Sequence, residues 1–325
     1  MNWKEQITQR GFADACLTLL PSFSAWRKTV DARSVKPHVR EPEEPYMAAL
    51  VLLYPYRLFA QAPGDTPVIS AFYPASNLAY HGARELGRQM AEDGIRCRHA
   101  SEIPYKPVAQ GSGLSCYGKN CLQHAEQYGS LFALEVLCFY DPPESVSERL
   151  GMPLVRTEET EEDAAGIRET CMGCTACIRA CPMAALSEDG IEVEHCLRFH
   201  MMKPVEEETI RSRMGLRLLG CDSCNAACPE NREREKVPYP EQLVQLFSFE
   251  NLLDESRLRK LLPEMTEIIG SNYARAYPLL RQAVLIAGNT GDRAWIPLLR
   301  KLEEHADTGV AMHAAWALGR LETCP

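Results

Sequence analysis

The sequence has no apolar run long enough to cross a bilayer. Its longest, "YMAALVLLY" starting at Tyr46, is nine residues, against the roughly 20 that a spanning helix needs. The opening "MNWKEQITQRGF" holds neither an apolar h-region nor a twin-arginine pair, so a cytoplasmic protein with no secretory signal and no membrane partner is expected. Positive charge is not in excess either: 35 Lys and Arg face 44 Asp and Glu, for a net charge of −9. That argues against non-specific nucleic-acid binding and leaves room only for a local basic face. Neither a P-loop nor a GxGxxG fingerprint occurs.

Cysteine, by contrast, is plentiful. Of 14 cysteines, eight lie between residues 171 and 228, and in a reducing compartment such a density calls for an explanation other than disulfides. The other six (Cys16, Cys97, Cys116, Cys121, Cys138 and Cys324) are scattered and read as inert or buried thiols.

The stretch "CMGCTACIRACP" sets Cys171, Cys174, Cys177 and Cys181, followed by Pro182, in the C-x₂-C-x₂-C-x₃-C-P run of bacterial two-cluster ferredoxins. Three close thiolates wrap one face of a cubane while backbone N–H groups turn toward its sulfides. The fourth cysteine points away to the other cluster, and the proline opens a helix. "CDSCNAACP" repeats the end of the pattern with Cys221, Cys224, Cys228 and Pro229, one cysteine short. Cys196, in "VEHCLRF", is the candidate to complete it. The expected sets are Cys171, Cys174, Cys177 and Cys228 for one 4Fe–4S cluster, and Cys181, Cys196, Cys221 and Cys224 for the other. A pair of zinc sites is the competing reading, because C-x₂-C also makes zinc knuckles. The three-sulfur run crowds one side of a single ion, however, and the C-P ending occurs twice. Clusters of this kind move single electrons, so an acceptor in the chain or a partner protein is implied.

Ahead of this module, the acidic "RTEETEEDAAGIRET" reads as a solvated linker and puts a domain boundary near residue 155. Upstream, the apolar runs Tyr46–Tyr56, Val68–Tyr73 and Leu131–Tyr140 read as buried strands, and "NLAYHGARELGRQMAEDG" as an amphipathic helix ending at Gly94. Alternating strands and helices make an α/β domain. The loop "GSGLSCYGKN" would let a ligand approach the backbone, although on its own a plain surface turn is the simpler reading. Downstream, Leu298, Leu299, Leu302, Val310, Ala314, Ala317, Leu318 and Leu321 recur at helical spacing between the breaks "GNTGD" and "ADTG". These look like HEAT-type repeats, serving as a binding surface or as a packing cap. The expected architecture is therefore an α+β multidomain chain: an α/β domain at 1–155, a two-cluster ferredoxin-like domain at 156–236 and HEAT-like helices at 237–325.

In that order of parts the chain resembles the epoxyqueuosine reductases and, more distantly, the reductive dehalogenases. The resemblance covers roughly residues 45 to 320 and rests on "VAQGSGLSCYGKNCL", "YGSLFALEVL", the cysteine module with "GCDSCNAACPENRE", and "GNTGD…AAWALGRL". It implies a nitroreductase-like α/β domain that binds cobalamin, clusters that reduce the corrinoid, and epoxyqueuosine at the wobble position of a tRNA as substrate. An electron donor protein such as ferredoxin or flavodoxin would be the partner. By the same resemblance Gly113, Leu114, Gly118, Lys119 and Asn120 match the corrinoid-contacting loop, while Tyr80 and His81 match part of a "DYH" helix start. The exported dehalogenases carry a twin-arginine signal, which sets the organohalide reading aside.

The chain departs from the family where a proton-donating aspartate is expected. "RCRHASEIPYKPVAQ" has none: His99 is nearest that position, Glu102 is the only carboxylate, and Tyr105 follows. Each could deliver a proton to an opened epoxide, and each taken singly also reads as an ordinary exposed polar residue. "SNLAY" stands where an arginine and an aspartate are expected, and Ser115 replaces a glycine. Arg232, Arg234 and Lys236, with Arg257, Arg259 and Lys260, are the nearest candidates for tRNA phosphates, though their neighbours make them read as solvated helix faces. Two readings stand: a corrinoid-dependent reductase, or a non-catalytic or differently specialised relative acting as a two-cluster electron-transfer protein or corrinoid reductase.

Overall fold

The run Ala48–Pro55 is apolar almost throughout because the strand it forms is covered on both faces. A computed structural model describes residues 1–20, 43–100, 103–155 and 167–323. Five strands form one sheet: β1 (Asp14–Leu19), β2 (Ala48–Pro55), β3 (Cys97–His99), β4 (Phe132–Phe139) and β5 (Leu154–Val155), in the order β3-β4-β2-β1-β5. Only the β1–β5 pair is parallel. Ala48, Leu50 and Leu52 share a core with Trp3 and Ile7 of helix α1 (Trp3–Gln9) and with Ala79, Ala83, Leu86 and Met90 of α2 (Phe72–Glu92). The alternate residues Ala49, Val51 and Leu53 pack with Ile103 and with Val108 and Ala109 of α3 (Tyr105–Gly111). A further helix, α4 (Pro143–Leu150), adds Val146 and Leu150 to the first of these cores.

The expected strands at Tyr46–Tyr56 and Leu131–Tyr140 appear as β2 and β4. The strand expected over Val68–Tyr73 does not: only Val68–Ile69 is extended, and α2 begins at Phe72. Ser70 explains the change. Its hydroxyl accepts the N–H of Phe72 and its carbonyl accepts that of Tyr73, a helix-starting arrangement that the following Pro74 suits. Tyr80 and His81 consequently lie about two turns inside the helix rather than at its start. Gly94, at φ +75°, follows its end as expected.

The described chain divides into two compact units, Met1–Tyr56 with Leu78–Cys174, and Arg57–Asn77 with Thr175–Pro325. The second holds α5 (Ala176–Ala180), α6 (Glu208–Met214), α7 (Ser223–Ala227), α8 (Glu255–Ile269), α9 (Ala276–Ala287), α10 (Ile296–Leu302) and α11 (Thr308–Thr323). The cysteine module and the C-terminal helices, expected as separate domains, thus share one unit, and the reason is a common core. Leu197, Met201 and Met214 belong to the same apolar cluster as Leu279, Leu299 and Ala317. Two fully buried polar side chains pin it. Gln282 accepts the Met202 N–H (2.8 Å) and donates to the Arg217 carbonyl (2.7 Å). His313 accepts the Val205 N–H at Nε2 (3.0 Å) and donates from Nδ1 to the Arg281 carbonyl (2.9 Å). Of the linker expected over 156–170, residues 156–166 lie outside the described residues, and its end is no solvated linker: Ile167 bridges to Tyr117, and the Arg168 N–H donates to the Tyr117 carbonyl at 2.8 Å. Among the described residues no helix is long and apolar enough to cross a membrane.

Gly288 faces Ala317 so closely that an added Cβ would sit 2.8 Å from its Cα, whereas Gly319 meets nothing within 4 Å. Gly288→Ala is expected to cost about 1–3 kcal/mol by overpacking, and Gly319→Ala to be neutral or stabilising by up to about 1 kcal/mol; denaturant titration of both variants checks the contrast. Burial holds the His313 imidazole below its ordinary value of 6.5. The unfolded chain therefore binds the extra proton first, and stability should fall as pH drops below about 6.5. Melting temperatures of the protein and of His313→Gln between neutral and mildly acidic pH check this, the variant showing the shallower loss.

Candidate functional site

The two cysteine runs fold alike up to their last cysteine; Pro229 then opens a short helix, as expected, whereas Pro182 enters a turn instead. Helix α5 ends at Cys181 and α7 at Cys228, each extended (ψ 117° and 127°) and each followed by proline. The two helices pack side by side. Cys196 takes nearly the same conformation (φ −72°, ψ 128°) ahead of the turn Leu197–His200, where the backbone N–H groups of Arg198 and Phe199 favour its thiolate and the Phe199 N–H donates to the Cys196 carbonyl at 2.9 Å. Cys181 likewise accepts the Ala185 N–H at 3.2 Å. Burial pushes the Cys224 thiol up to about 12, and the neighbouring Cys221, Cys196 and Cys177 add to it. Burial also raises Cys196, with Cys221 and Cys181 contributing. The structure therefore gathers Cys177, Cys181, Cys196, Cys221 and Cys224 into one neighbourhood. Sulfurs that burial holds back from ionising at Cys224 and Cys196, with backbone N–H groups placed at Cys181 and Cys196, fit a cationic iron–sulfur core that supplies the missing charge.

Cys177 and Cys228 are the buried members of the second unit, while Cys171 and Cys174 belong to the first, around Gly173 at φ +71°. Beside Cys221, Gly220 is indispensable. It sits at φ +91°, and an added Cβ would lie 2.5 Å from the Ser70 Cβ. Burial raises the Asp222 carboxyl, which accepts the Ser70 hydroxyl at 2.9 Å. Of the scattered cysteines, Cys16 and Cys138 are buried, and burial pushes Cys16 up to about 11 and Cys97 up to about 12, as inert thiols require. Cys324 lies outside the described residues.

In the first unit the Gly-Lys-Asn loop closes a hairpin between Cys116–Tyr117 and Gln123–His124. It is not the plain surface turn that its composition favours. Lys119 and Asn120 are buried; the Lys119 ammonium donates to the Cys174 carbonyl (3.2 Å), and the Asn120 side chain accepts the Leu122 N–H (3.1 Å) and lies 3.2 Å from His124 Nε2. A Cβ on Gly118 would come within 2.5 Å of that same nitrogen. Gly111 and Gly113 differ, with nothing within 4 Å of an added Cβ and φ +76° at Gly113; Leu114 beside them is half-buried. Open space there fits close approach of a bulky group to the backbone, whereas Lys119 and Asn120 already have protein partners.

Two of the alternative proton donors, His99 and Tyr105, come together with Tyr80, which the resemblance assigned to the corrinoid. His99, at the end of β3, has its Nε2 2.5 Å from Glu135 Oε2 and 3.1 Å from the Tyr105 hydroxyl. Tyr80 stands edge-on to the imidazole, ring centroids 5.1 Å apart. His81 packs against Tyr80 on the same helix and is exposed, and Glu102 lies outside the described residues. Sequence reasoning missed Glu135, whose side chain is only 7% exposed. The available signal was a single carboxylate interrupting the apolar "LFALEVLCFY", a position tolerated only with a partner.

Residues 170–231 match the family described as the 4Fe-4S double cluster binding domain. Over 316 residues the chain is 25% identical to the epoxyqueuosine reductase of Bacillus subtilis, covering 89% of this chain and 75% of that protein. The structure of epoxyqueuosine reductase from Streptococcus thermophilus matches with a TM-score of 0.74 and 19% identity, covering 100% of this chain and 92% of that one. The chain is similar to the epoxyqueuosine reductases along most of its length. A crystal structure of an epoxyqueuosine reductase with an epoxyqueuosine-modified tRNA-Tyr stem loop matches equally, at 0.74 and 19%, over 98% of this chain and 89% of that chain. At such identities these likenesses show the fold: a mixed α/β chain with a double-cluster 4Fe–4S domain. With other curated epoxyqueuosine reductases the match spans 54 to 58% of their length.

The candidate phosphate-binding arginines have acidic neighbours: Arg232 with Glu233 (3.0 Å), Arg257 with Asp254 (3.7 Å) and Arg259 with Glu255 (2.6 Å). Exposed pairs of this kind are worth about 0–1 kcal/mol, so they do not withhold these arginines from a phosphate. Gly220→Ala should displace Cys221 and lower bound iron to about half that of the unaltered protein, one cluster of two. Iron and sulfide analysis after anaerobic reconstitution tests this; full iron in the variant would detach Cys221 from cluster binding.

Proposed function

We propose that this protein is an iron–sulfur reductase that converts epoxyqueuosine in tRNA to queuosine. What carries the reading is the gathering of Cys177, Cys181, Cys196, Cys221 and Cys224, with backbone N–H donors at Cys181 and Cys196, in a chain folded like the epoxyqueuosine reductases. The proposed ligands are Cys171, Cys174, Cys177 and Cys228 for one 4Fe–4S cluster, and Cys181, Cys196, Cys221 and Cys224 for the other. The first unit is read as nitroreductase-like, and the C-terminal helices as HEAT-like. The protein would work in the cytoplasm, with a ferredoxin or flavodoxin as electron donor.

The net chemistry removes an epoxide oxygen as water and leaves a carbon–carbon double bond, which takes two electrons and two protons. Clusters deliver electrons singly, so the chain must be charged twice per turnover. Cobalamin, when bound, would supply a strongly nucleophilic metal centre; the open backbone at Gly111 and Gly113, with Leu114 and Tyr80, would hold it, and Gly118, Lys119 and Asn120 would keep that loop in shape. The protein's own groups orient the nucleoside, exclude water and provide protons at the oxygen that leaves carbon.

A second reading, a two-cluster electron carrier or corrinoid reductase, is favoured by His99 standing where the family's aspartate is expected and by "SNLAY" in α2. One experiment separates the two. The anaerobically reconstituted protein is supplied with cobalamin, a low-potential one-electron donor and a stem-loop carrying epoxyqueuosine, and the nucleosides are analysed by mass spectrometry. Queuosine is expected as product. Clusters that are reduced and reoxidised without forming queuosine would establish the electron-carrier reading instead.

A further inference from the structure

Glu135 is an unusual occupant of its strand. Register places it opposite Leu52, on the sheet face that carries Leu50 and Leu137, and its side chain is 7% exposed. A carboxylate there loses its water and needs compensation. That compensation comes from His99, one strand over, whose Nε2 is 2.5 Å from Glu135 Oε2. The same nitrogen lies 3.1 Å from the hydroxyl of Tyr105, the first residue of α3. Three acid–base groups from three elements thus share one nitrogen. A buried His–Glu pair is a poor source of stability beside an apolar pair of the same volume, so packing alone gives little account of it.

We infer that Tyr105, His99 and Glu135 form a proton relay in the first unit: Tyr105 donates a proton to the substrate oxygen, His99 replaces it, and Glu135 is a positioning residue that fixes the imidazole. This rests on the proposed reductase reading and deepens it by naming the proton path. With hydrogen on Nε2, that hydrogen lies between Glu135 Oε2 and the Tyr105 oxygen, and the tyrosine O–H is directed away from the ring nitrogen. As the substrate C–O bond breaks, its electron pair stays on oxygen. The Tyr105 O–H bond breaks, a substrate O–H bond forms, and the Nε2 proton of the His99 imidazolium passes to the tyrosine oxygen, leaving a neutral imidazole with its hydrogen on Nδ1. Solvent reprotonates the imidazole. The two reducing electrons come from the 4Fe–4S clusters, recharged by the one-electron carrier. Glu135 from β4, Tyr105 from α3 and Tyr80 from α2 face His99, the last stacked with Arg84 (5.5 Å) and His81.

The test uses the full chain with Tyr105→Phe and Glu135→Gln. In protein labelled at histidine, the His99 imidazole signal is followed by NMR across pH; in the reconstituted holoprotein, kcat and KM for the epoxyqueuosine stem-loop are measured across the same range. Tyr105→Phe should lower kcat by about 10²–10⁴-fold with KM nearly unchanged. Glu135→Gln should lower kcat by about tenfold, move the pH profile and shift the His99 titration. If the variants fold and leave both the His99 titration and kcat as they were, the relay is overturned. If the unaltered protein makes no queuosine, the reductase reading fails by itself. The NMR titration then still decides the relay: coupling of His99 to Glu135 and Tyr105 upholds the shared proton, and its absence removes it. Should Glu135→Gln fail to fold, Tyr105→Phe, in which only a hydroxyl is lost, carries the same decision.

Discussion

Sulfur charge has to be compensated where water is scarce, and the second unit is organised around that need. Thiols that burial pushes as high as about 12 become ligands only next to a cation, and backbone N–H groups must be directed toward the resulting thiolates. Short helices serve this purpose: α5 and α7 each end in an extended cysteine followed by proline, and Cys196 precedes a third turn that offers two N–H groups. Gly220 is there because no side chain fits against Ser70 in that conformation. The C-terminal helices follow from the same need. Through Gln282 and His313 they fasten the segments Met202–Val205 and Arg217, which lead into the second cysteine run.

The first unit satisfies a different constraint. Its central strand is covered on both faces, so polar groups are admitted only in pairs or networks. His99 with Glu135 is one such pair, and the Lys119–Asn120 loop, tied to Cys174, Leu122 and His124, is a network. The proton path proposed through Tyr105 starts from the first of these.

Much of this was legible in the amino-acid pattern, and the rest was not, for physical reasons. Cysteine spacing is short-range information, so the double-cluster module could be read directly. Continuous apolar runs identified β2 and β4 because both are buried on two faces. Val68–Tyr73 misled because a short apolar run has no period to separate strand from helix, and the cap at Ser70 decided the matter. The joining of the module to the C-terminal helices was hidden because it depends on which surfaces meet. Glu135 was overlooked for the same reason: its partner is 36 residues away in sequence and one strand away in space. His99, Tyr105 and Tyr80 were noticed singly, yet their association required the sheet register.

The central claim is that eight cysteines hold two 4Fe–4S clusters. Low-temperature EPR of the anaerobically purified, dithionite-reduced protein, quantified against its iron and zinc content, tests it most directly. The account predicts two reduced 4Fe–4S signals per chain, broadened by magnetic interaction between neighbouring clusters. An EPR-silent protein with stoichiometric zinc, or one cluster signal with half of the cysteines still titrating as free thiols, would contradict it.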